Sequence, residues 1–294
     1  MSAYLEGIIV PLLVPGKLDG SFDEQLFAAH VDFLATSGVK GLFVGGTTGE
    51  FVNYTDDQRR RMLEIVVRHA NGLHILYNIT SMCREEMCRH IRHAQKLGVS
   101  CVSVTAPYYH KYDKKSLVAY FKQVGTLADG LNLFAYNMPG MTGNPLTPDM
   151  VGAICEAAPN LKGIKDSSMN FTTLQEFLLA APSGFEVVTG NDAEIMASAE
   201  VGCKGAIVAM ANVYPALCVG IFKCLAEGDK EQAWNYQKRI IKLRFACRST
   251  MPVMSHKYLL ELQGRRMGIA HFPMRELTEN EKETLRAAAT EYGM

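Results

Sequence analysis

Short apolar runs alternate with amphipathic stretches along the chain up to residue 211. The runs that fit buried strands are Gly7–Leu13, Gly41–Gly45, His74–Asn78, Cys101–Thr105, Asn132–Tyr136, Gly163–Asp166, Glu186–Thr189 and Gly205–Val208. Between them lie the helical patterns Asp23–Ser37, Thr55–Ala70, Arg84–Leu97, Lys115–Leu127, Thr147–Ala157, Thr172–Ala180 and Ala193–Glu200. Short apolar strands that alternate with helices form parallel sheets covered on both faces. The pattern therefore predicts an α/β fold.

The number of strands favours a closed barrel over an open sheet. Eight strand–helix units match a (β/α)8 TIM barrel. The alternative is an open doubly wound sheet, but the first strand–helix turn lacks the GxGxxG phosphate motif of that class. After residue 211 only helical patterns occur, over Tyr214–Glu227, Gln232–Cys247, Met251–Leu262 and Glu281–Tyr292. We expect a catalytic barrel over residues 1–225 and a C-terminal helical extension, residues 226–294, packed on it.

Composition excludes several classes of function. Lysine plus arginine equals aspartate plus glutamate at 30 each, so no net field favours nucleic acid or membrane. No apolar run reaches the roughly 18 residues of a membrane span, and no signal-peptide pattern opens the chain. The eight cysteines form no CxxC pair, and His90 and His93 share a helix face without a third ligand. We expect a cytoplasmic protein with reduced thiols and no metal site.

One lysine stands where chemistry is expected in a parallel barrel. The segment Leu161–Ser168 is an apolar run that ends in Lys165 and then breaks into small polar residues. Active sites of barrels lie at the carboxyl ends of the strands. A lysine held there with little solvent loses proton affinity and becomes a nucleophilic amine, whereas most lysines are solvated surface groups.

Other reactive side chains follow neighbouring predicted strands. After the second strand, Gly46, Thr47 and Thr48 offer backbone amides and two hydroxyls, which can form a small anion nest, although a plain glycine turn explains the glycines. The fifth strand ends in Tyr136, and paired tyrosines, which more often pack than react, follow the fourth. The chemistry expected of this set is imine formation, in which a lysine attacks a ketone and a tyrosine moves protons.

Three segments carry a family resemblance: GGTTGE, YNMPG and GIKDSS, in this order and spacing. Together they resemble the dihydrodipicolinate synthase/N-acetylneuraminate lyase family, and the resemblance covers essentially the whole chain. It implies a (β/α)8 barrel with C-terminal helices and a pyruvate-dependent class I aldolase that needs neither metal nor organic cofactor. It also implies a homotetramer built as a dimer of dimers.

The resemblance implies a role for each matching residue. Lys165 matches the lysine that forms a Schiff base with pyruvate, and Tyr136 matches the tyrosine that relays protons. Thr47 and Thr48 match the hydroxyl pair that binds the pyruvate carboxylate, with Thr47 also in the proton relay. Tyr109 matches a tyrosine that, in the synthase branch, reaches across a dimer interface to complete that relay.

Four more positions match residues around the substrate. Ile207 matches a residue whose backbone carbonyl faces the lysine. Gly190, Asn191 and Asp192 match the loop that contacts the second substrate in the lyase branch.

Two departures from the family pattern bear on the substrate. Met141 stands where the synthase branch has an arginine for the carboxylate of its aldehyde, and methionine offers no bidentate grip, although a nearby arginine could substitute. The lyase branch follows its aspartate with a glutamate, whereas this chain has Asp192 and Ala193. The spacing of Pro139, Thr142 and Gly143 resembles aldolases that act on 2-keto-3-deoxy sugar acids.

The leading hypothesis is an aldolase that condenses or releases pyruvate with a small aldehyde or sugar-acid substrate. N-acetylneuraminate lyase and 4-hydroxy-tetrahydrodipicolinate synthase activities are the alternatives within the family. The alternatives outside the family are a non-catalytic barrel that binds a keto acid, a different lysine-imine or pyridoxal-phosphate enzyme, and a metal-dependent aldolase.

Overall fold

The computed structural model describes residues 4–269 and 271–293, and its centre is a closed barrel of parallel strands. The strands pair in chain order and the last pairs with the first. They are β1 (Gly7–Pro11), β2 (Gly41–Val44), β3 (His74–Asn78), β4 (Cys101–Thr105), β5 (Asn132–Asn137), β6 (Leu161–Asp166), β7 (Glu186–Thr189) and β8 (Gly205–Ile207). The predicted TIM barrel is thus confirmed.

Helices cover the outside of the barrel and continue beyond it. They are α1 (Glu24–Ala35), α2 (Asp56–His69), α3 (Arg84–Lys96), α4 (Lys114–Leu127), α5 (Pro139–Thr142), α6 (Val151–Ala157), α7 (Phe171–Ala180), α8 (Ile195–Glu200), α9 (Pro215–Glu227), α10 (Lys230–Arg248), α11 (Pro252–Leu262) and α12 (Glu279–Ala288). The four helices predicted after residue 211 are all present, as α9 to α12. The predicted domain boundary after residue 225 falls inside α9 and stays a prediction.

Side-chain caps define where several helices begin. Asp23 accepts hydrogen bonds from two backbone amides of the first turn of α1. Thr55 and Gln58 form a reciprocal capping box at the start of α2, and Thr278 and Glu281 form another at α12. Such caps satisfy amides that have no partner within the helix, and each is worth about 1 kcal/mol.

Two predicted helices begin later than the sequence pattern indicated. Short 3-10 turns, Pro148–Met150 and Asp192–Glu194, come before the regular parts of α6 and α8. The first predicted strand also ends early, at Pro11, and beyond it Leu12 adds one more ladder bond, to the Phe43 carbonyl. These differences lie at the ends of elements, where local propensity is weakest.

Apolar side chains fill the interior of the barrel. Its apolar cluster contains Leu5, Ile9, Phe43, Leu76, Cys101, Phe134, Tyr136, Val188 and Ile207. At the start of β7, the Glu186 carboxylate accepts hydrogen bonds from the backbone amides of Tyr4 and Leu5, at 2.8 and 2.7 Å. The first described residues therefore close the end of the barrel where the strands begin.

Helix α10 runs from the lower end of the barrel, where the strands begin, to the upper end, where they finish. At its start, the Lys230 amine lies 2.7 Å from the Glu200 carboxylate at the end of α8. In its middle, Gln237 donates to the backbone carbonyl of Asp192 and accepts from the amide of Met196. Its last turns consequently lie at the rim where the barrel strands end.

The histidines of α3 serve packing. His90 is fully buried between the Tyr77 hydroxyl, 2.5 Å from its Nδ1, and Asp56, 2.8 Å from its Nε2. His93 lies 3.5 Å from Glu64. Among the residues described, no cluster of three or more His, Cys, Asp or Glu side chains could hold a metal ion, and no helix is long and apolar enough to cross a membrane.

A buried histidine of α1 links folding stability to pH. The Nε2–H of His30 donates to Asn212 Oδ1 at 2.9 Å, while its Nδ1 is buried without a hydrogen-bond partner. Because Asn212 donates through Nδ2 to the Pro11 carbonyl, its Oδ1 is the acceptor in this pair. Burial lowers the pKa of His30 from 6.5 to about 4, although the bond to Asn212 opposes the change.

We expect the protein to lose stability as the pH falls from 6.5 towards 4. In that range His30 is protonated in the unfolded chain but neutral in the folded protein. The free energy of unfolding therefore falls by about 1.4 kcal/mol per pH unit. Denaturant unfolding of the wild type and of His30→Gln at several pH values measures this contribution. The variant should show a shallower loss of stability with acid, and equal slopes in both proteins would contradict the assignment.

Candidate active site at the barrel mouth

Lys165 lies near the end of β6 and points its amine into the barrel mouth. Its side chain is buried, with 5% of the residue surface exposed. Nζ lies 4.1 Å from the ring centroid of Tyr136 and 5.0 Å from that of Phe43. Within the described residues, no carboxylate is within ion-pair distance of this amine. The amine is therefore free to react with a bound carbonyl group.

Tyr136 is the neighbour of Lys165 in the next strand. The two residues are register partners of β5 and β6, so both side chains leave the sheet on the same face. The Tyr136 hydroxyl lies 3.1 Å from the Thr47 hydroxyl, in a pair where either oxygen can donate. The structure thus brings Lys165 of β6, Tyr136 of β5 and Thr47 of the loop after β2 together at the mouth, and their catalytic roles stay a prediction.

The loop after β2 holds Thr47 and Thr48 at the mouth, and both are half-buried. A Cβ at Gly46 would lie 2.8 Å from the Phe43 ring, so this position has no room for a side chain. Asn78, at the end of β3, donates to the Gly45 carbonyl at 2.6 Å and anchors the start of the loop. This close packing presents the two hydroxyls and the backbone near the lysine.

A buried ion pair anchors the other end of this loop. The Glu50 carboxylate lies 2.8 Å from the Lys257 amine of α11, and both side chains are almost completely buried. Lys257 also donates to the Ile269 carbonyl, and Glu50 accepts from the His271 amide. Burial lowers the pKa of Lys257, and the Glu50 charge opposes that change. Glu50 itself has a left-handed backbone conformation, with φ of 54°.

A pair of polar side chains joins the ends of β5 and β6 behind the reactive residues. Asn137 donates to Asp166 Oδ1 at 2.7 Å, and Ser168 donates to Asp166 Oδ2 at the same distance. Burial raises the pKa of Asp166 above its ordinary value, and these two hydrogen bonds only partly oppose that rise. Because Asn137 directly follows Tyr136 and Asp166 directly follows Lys165, their hydrogen bond fixes the relative position of the two strand ends.

The loop after β7 approaches the lysine through a glycine. A Cβ at Gly190 would lie 1.9 Å from Ser167 Oγ and 2.9 Å from Lys165 Cε. Any larger residue here would displace the lysine or Ser167. Gly190 is therefore part of the site. Ser167, which is not among the predicted site residues, lies within the same small volume.

The side chains of Asn191 and Asp192 are engaged within the protein. Asn191 accepts from the Ala193 amide and donates to Glu194 at 2.9 Å, and Asp192 accepts from the Met210 amide at 2.8 Å. Glu194 also accepts from the Thr189 hydroxyl at 2.7 Å. The contact of Asn191 and Asp192 with a second substrate stays a prediction from the resemblance.

Ile207 and Tyr109 occupy opposite surroundings. Ile207 is the last residue of β8 and belongs to the buried cluster that contains Phe43 and Tyr136. Tyr109 is 90% exposed and has a left-handed φ of 78°. Within the part of the chain that the structure describes, no hydrogen bond joins Tyr109 to Thr47 or Tyr136. Tyr109 therefore does not contribute to the Thr47–Tyr136 pair of its own chain, and its role in a partner subunit stays a prediction from the resemblance.

The loop that carries Tyr109 is nevertheless well anchored. The Asn144 amide group donates to the carbonyls of Pro107 and His110, and its oxygen accepts from the Tyr112 amide. The exposed position of Tyr109 is thus built into the fold.

Ser167, Glu194 and the Glu50–Lys257 pair lie near the site but were not predicted from the sequence. Glu50 lies in the GGTTGE segment and Ser167 in the GIKDSS segment. Their closeness in sequence to Thr47, Thr48 and Lys165 could have indicated that they lie near the site. Glu194 lies one residue beyond the position that was compared with the lyase branch. Nothing in the sequence pairs Lys257 with Glu50, because they are 207 positions apart.

The arrangement suits covalent chemistry on a small keto acid. It combines an amine without an ion pair, a hydroxyl pair that can pass a proton, and a loop that offers hydroxyls and backbone to a carboxylate. The family model described as the dihydrodipicolinate synthetase family matches residues 4–292.

Known proteins resemble the chain over nearly its full length. An uncharacterized DapA-like lyase of Halobacterium salinarum is 29% identical over 99% of this chain and 95% of its own. A 4-hydroxy-tetrahydrodipicolinate synthase of Exiguobacterium sp. is 29% identical over 97% of each. The structure of YagE, a prophage protein of the dihydrodipicolinic acid synthase family from E. coli K12 in complex with pyruvate, superposes with a TM-score of 0.93. It is 28% identical and covers 98% of both chains. The chain belongs to the dihydrodipicolinate synthetase family of class I aldolases and lyases.

Proposed function

We propose that this protein is a Schiff-base-forming aldolase that either condenses pyruvate with an aldehyde or releases pyruvate by the reverse cleavage. The proposed substrate is of the 2-keto-3-deoxy sugar acid type. The observation that carries the proposal is the buried Lys165 amine beside Tyr136, whose hydroxyl meets that of Thr47. The binding of pyruvate by a family member of the same fold supports it.

The proposed reaction begins with attack of the Lys165 amine on C2 of pyruvate. The resulting carbinolamine loses water, and the Tyr136 hydroxyl, hydrogen-bonded to Thr47, supplies the proton that the leaving hydroxide needs. The product is a protonated imine, which draws electrons from C3, and the Tyr136 phenolate accepts the C3 proton as the enamine forms. The enamine carbon then bonds to the aldehyde carbon, and Tyr136 returns that proton to the aldehyde oxygen. Hydrolysis of the imine restores the lysine.

The hydroxyls and backbone of the loop after β2 are proposed to bind the pyruvate carboxylate. Thr47, Thr48 and Gly46 lie at the mouth next to the lysine. Residues at the rim of the mouth would then bind the second substrate. One of them, Met141, is 68% exposed and carries no charge. This favours a sugar-acid substrate over the aldehyde of the synthase reaction.

Trapping with pyruvate and borohydride tests the proposal directly. Borohydride reduces the imine to a stable secondary amine, so intact mass should show one reduced pyruvyl adduct per chain, and peptide mapping should place it on Lys165. A folded protein without an adduct would overturn the proposal. An adduct without turnover of any aldehyde or sugar acid in a broad panel would favour a barrel that only binds a keto acid.

The proposal includes a homotetramer built as a dimer of dimers, in which Tyr109 approaches the Thr47–Tyr136 pair of a partner subunit. The exposure of Tyr109 on an anchored loop supports it. A fully active monomer in light scattering would contradict it. A cytoplasmic location stays a prediction of the sequence.

A further inference from the structure

Arg244 lies at the rim of the barrel mouth, on the last turns of α10. Its Nη2 lies 3.4 Å from the sulfur of Met169, which follows Lys165 by four residues just beyond the end of β6. A helix rises 1.5 Å per residue, so α10 has risen by about 21 Å between Lys230 at the lower end and Arg244. The guanidinium is therefore placed above the strand that carries the reactive lysine.

The donors of Arg244 are largely unused. Arg244 is half-buried, and among the described residues no carboxylate lies within 4.0 Å of its guanidinium. Within residues 4–269 and 271–293, its one hydrogen bond goes to a thioether, which is a weak acceptor, whereas guanidinium has five N–H donors. Burial lowers the pKa of Arg244, and the charges of Asp192 and Glu194 oppose that change.

Among the described residues, Asp192 and Glu194 make no ion pair with Arg244, although their charges act on it from a distance. Asp192 accepts from the Met210 amide, and Glu194 accepts from Thr189 and Asn191. The simpler explanation is an arginine that covers apolar surface with its stem and keeps its head in water. Arg248, one turn further along α10, fits that description because it is exposed. Arg244 differs from it in burial and in its contact beside the active-site strand.

We propose that Arg244 binds a terminal oxyanion of the aldehyde substrate, at the end remote from the reacting carbonyl. The inference rests on the proposed function and narrows its substrate class to short aldehydes that carry a carboxylate or phosphate. Guanidinium binds either group through paired hydrogen bonds. Met141 supplies no cation on the β5 side of the mouth, whereas Arg244 lies beside Met169 beyond the end of β6. The oxyanion that it binds therefore has a different position from one held by a synthase-type arginine at residue 141.

Matched aldehydes test the inference in condensation with pyruvate. Succinic semialdehyde is compared with butanal for a carboxylate, and glyceraldehyde 3-phosphate with glyceraldehyde for a phosphate. The wild type should favour one anionic aldehyde over its neutral counterpart. Arg244→Gln should lower kcat/KM for that aldehyde by about tenfold to a hundredfold, because hydrogen bonds to charged groups are lost. The loss should fall mainly on the KM of the aldehyde.

Controls separate this inference from the proposed function. Arg248→Gln should retain the preference, Arg244→Lys should restore part of it, and all variants should form the pyruvyl adduct with borohydride. A wild type that forms no adduct refutes the proposed function itself. Three outcomes, each with a normal adduct, overturn the role of Arg244. They are a wild type that turns over no anionic aldehyde, a wild type that shows no preference for one, and an Arg244→Gln variant that loses equal activity on neutral and anionic aldehydes. The two anionic aldehydes distinguish carboxylate from phosphate.

Discussion

Replacement of Lys165 by methionine is expected to abolish both the pyruvyl adduct and aldol turnover. Methionine preserves most of the apolar contact with the Phe43 and Tyr136 rings but has no amine to form the imine. Without the imine there is no electron sink for the C3 carbanion, so turnover should fall by a factor on the order of 10⁴ or more. Intact mass after borohydride reduction and a coupled assay of pyruvate release measure the two effects.

Lys162 provides a matched control in the same strand. It is half-buried and donates to the Pro159 carbonyl, away from the mouth. Lys162→Met should therefore retain the adduct and the turnover. Persistent turnover in a folded Lys165→Met protein would refute the covalent mechanism. Loss of the adduct with unchanged activity would show that the lysine binds pyruvate without serving the reaction.

Replacement of Glu50 by glutamine is expected to destabilise the protein by about 3–5 kcal/mol, because it leaves the buried Lys257 amine without a counter-charge. Denaturant unfolding at neutral pH measures the loss. Glu50 also closes the loop that carries Thr47 and Thr48, so trapping of pyruvate should slow in the folded fraction. This is the largest stability effect that we expect from a single substitution near the site.

The double variant Glu50→Gln with Lys257→Met separates charge from packing. It removes both charges, and replacement of a whole buried ion pair is often close to neutral. It should therefore recover much of the stability lost in Glu50→Gln, while the His271 amide keeps an acceptor in the glutamine side chain. If Glu50→Gln unfolds at the wild-type denaturant concentration, the ion pair contributes nothing to stability.

The barrel could be predicted because its strands are buried on both faces. In β1 and β4 almost every residue is apolar or small, so short continuous apolar runs marked these strands against the longer amphipathic helices. The core of the site followed from the same argument. Lys165, Tyr136 and the hydroxyls after β2 all stand at carboxyl ends of strands, and a closed parallel barrel brings such ends together.

The supporting residues could not be predicted in the same way. Lys257 lies in a helical pattern, where a lysine ordinarily indicates a solvated face, and only the packing of α11 against the loop after β2 buries it. Arg244 likewise looks like one of several surface cations of α10. Its position depends on how α10 lies against the turn Asp192–Glu194, which Gln237 fixes from the barrel side. Contacts between segments that are distant in sequence produce no hydrophobic periodicity, so the sequence pattern does not predict them.

The hydrogen bonds of Tyr4 and Leu5 to Glu186 have a practical consequence for handling the protein. They hold the beginning of the described chain at the end of the barrel opposite to Lys165. A chain immobilised through a tag before Tyr4 on a biosensor chip or a resin would therefore turn its reactive end towards the flowing solution. Surface-based binding assays and flow reactors can accordingly be built from an N-terminal attachment without blocking the entrance to the reactive lysine.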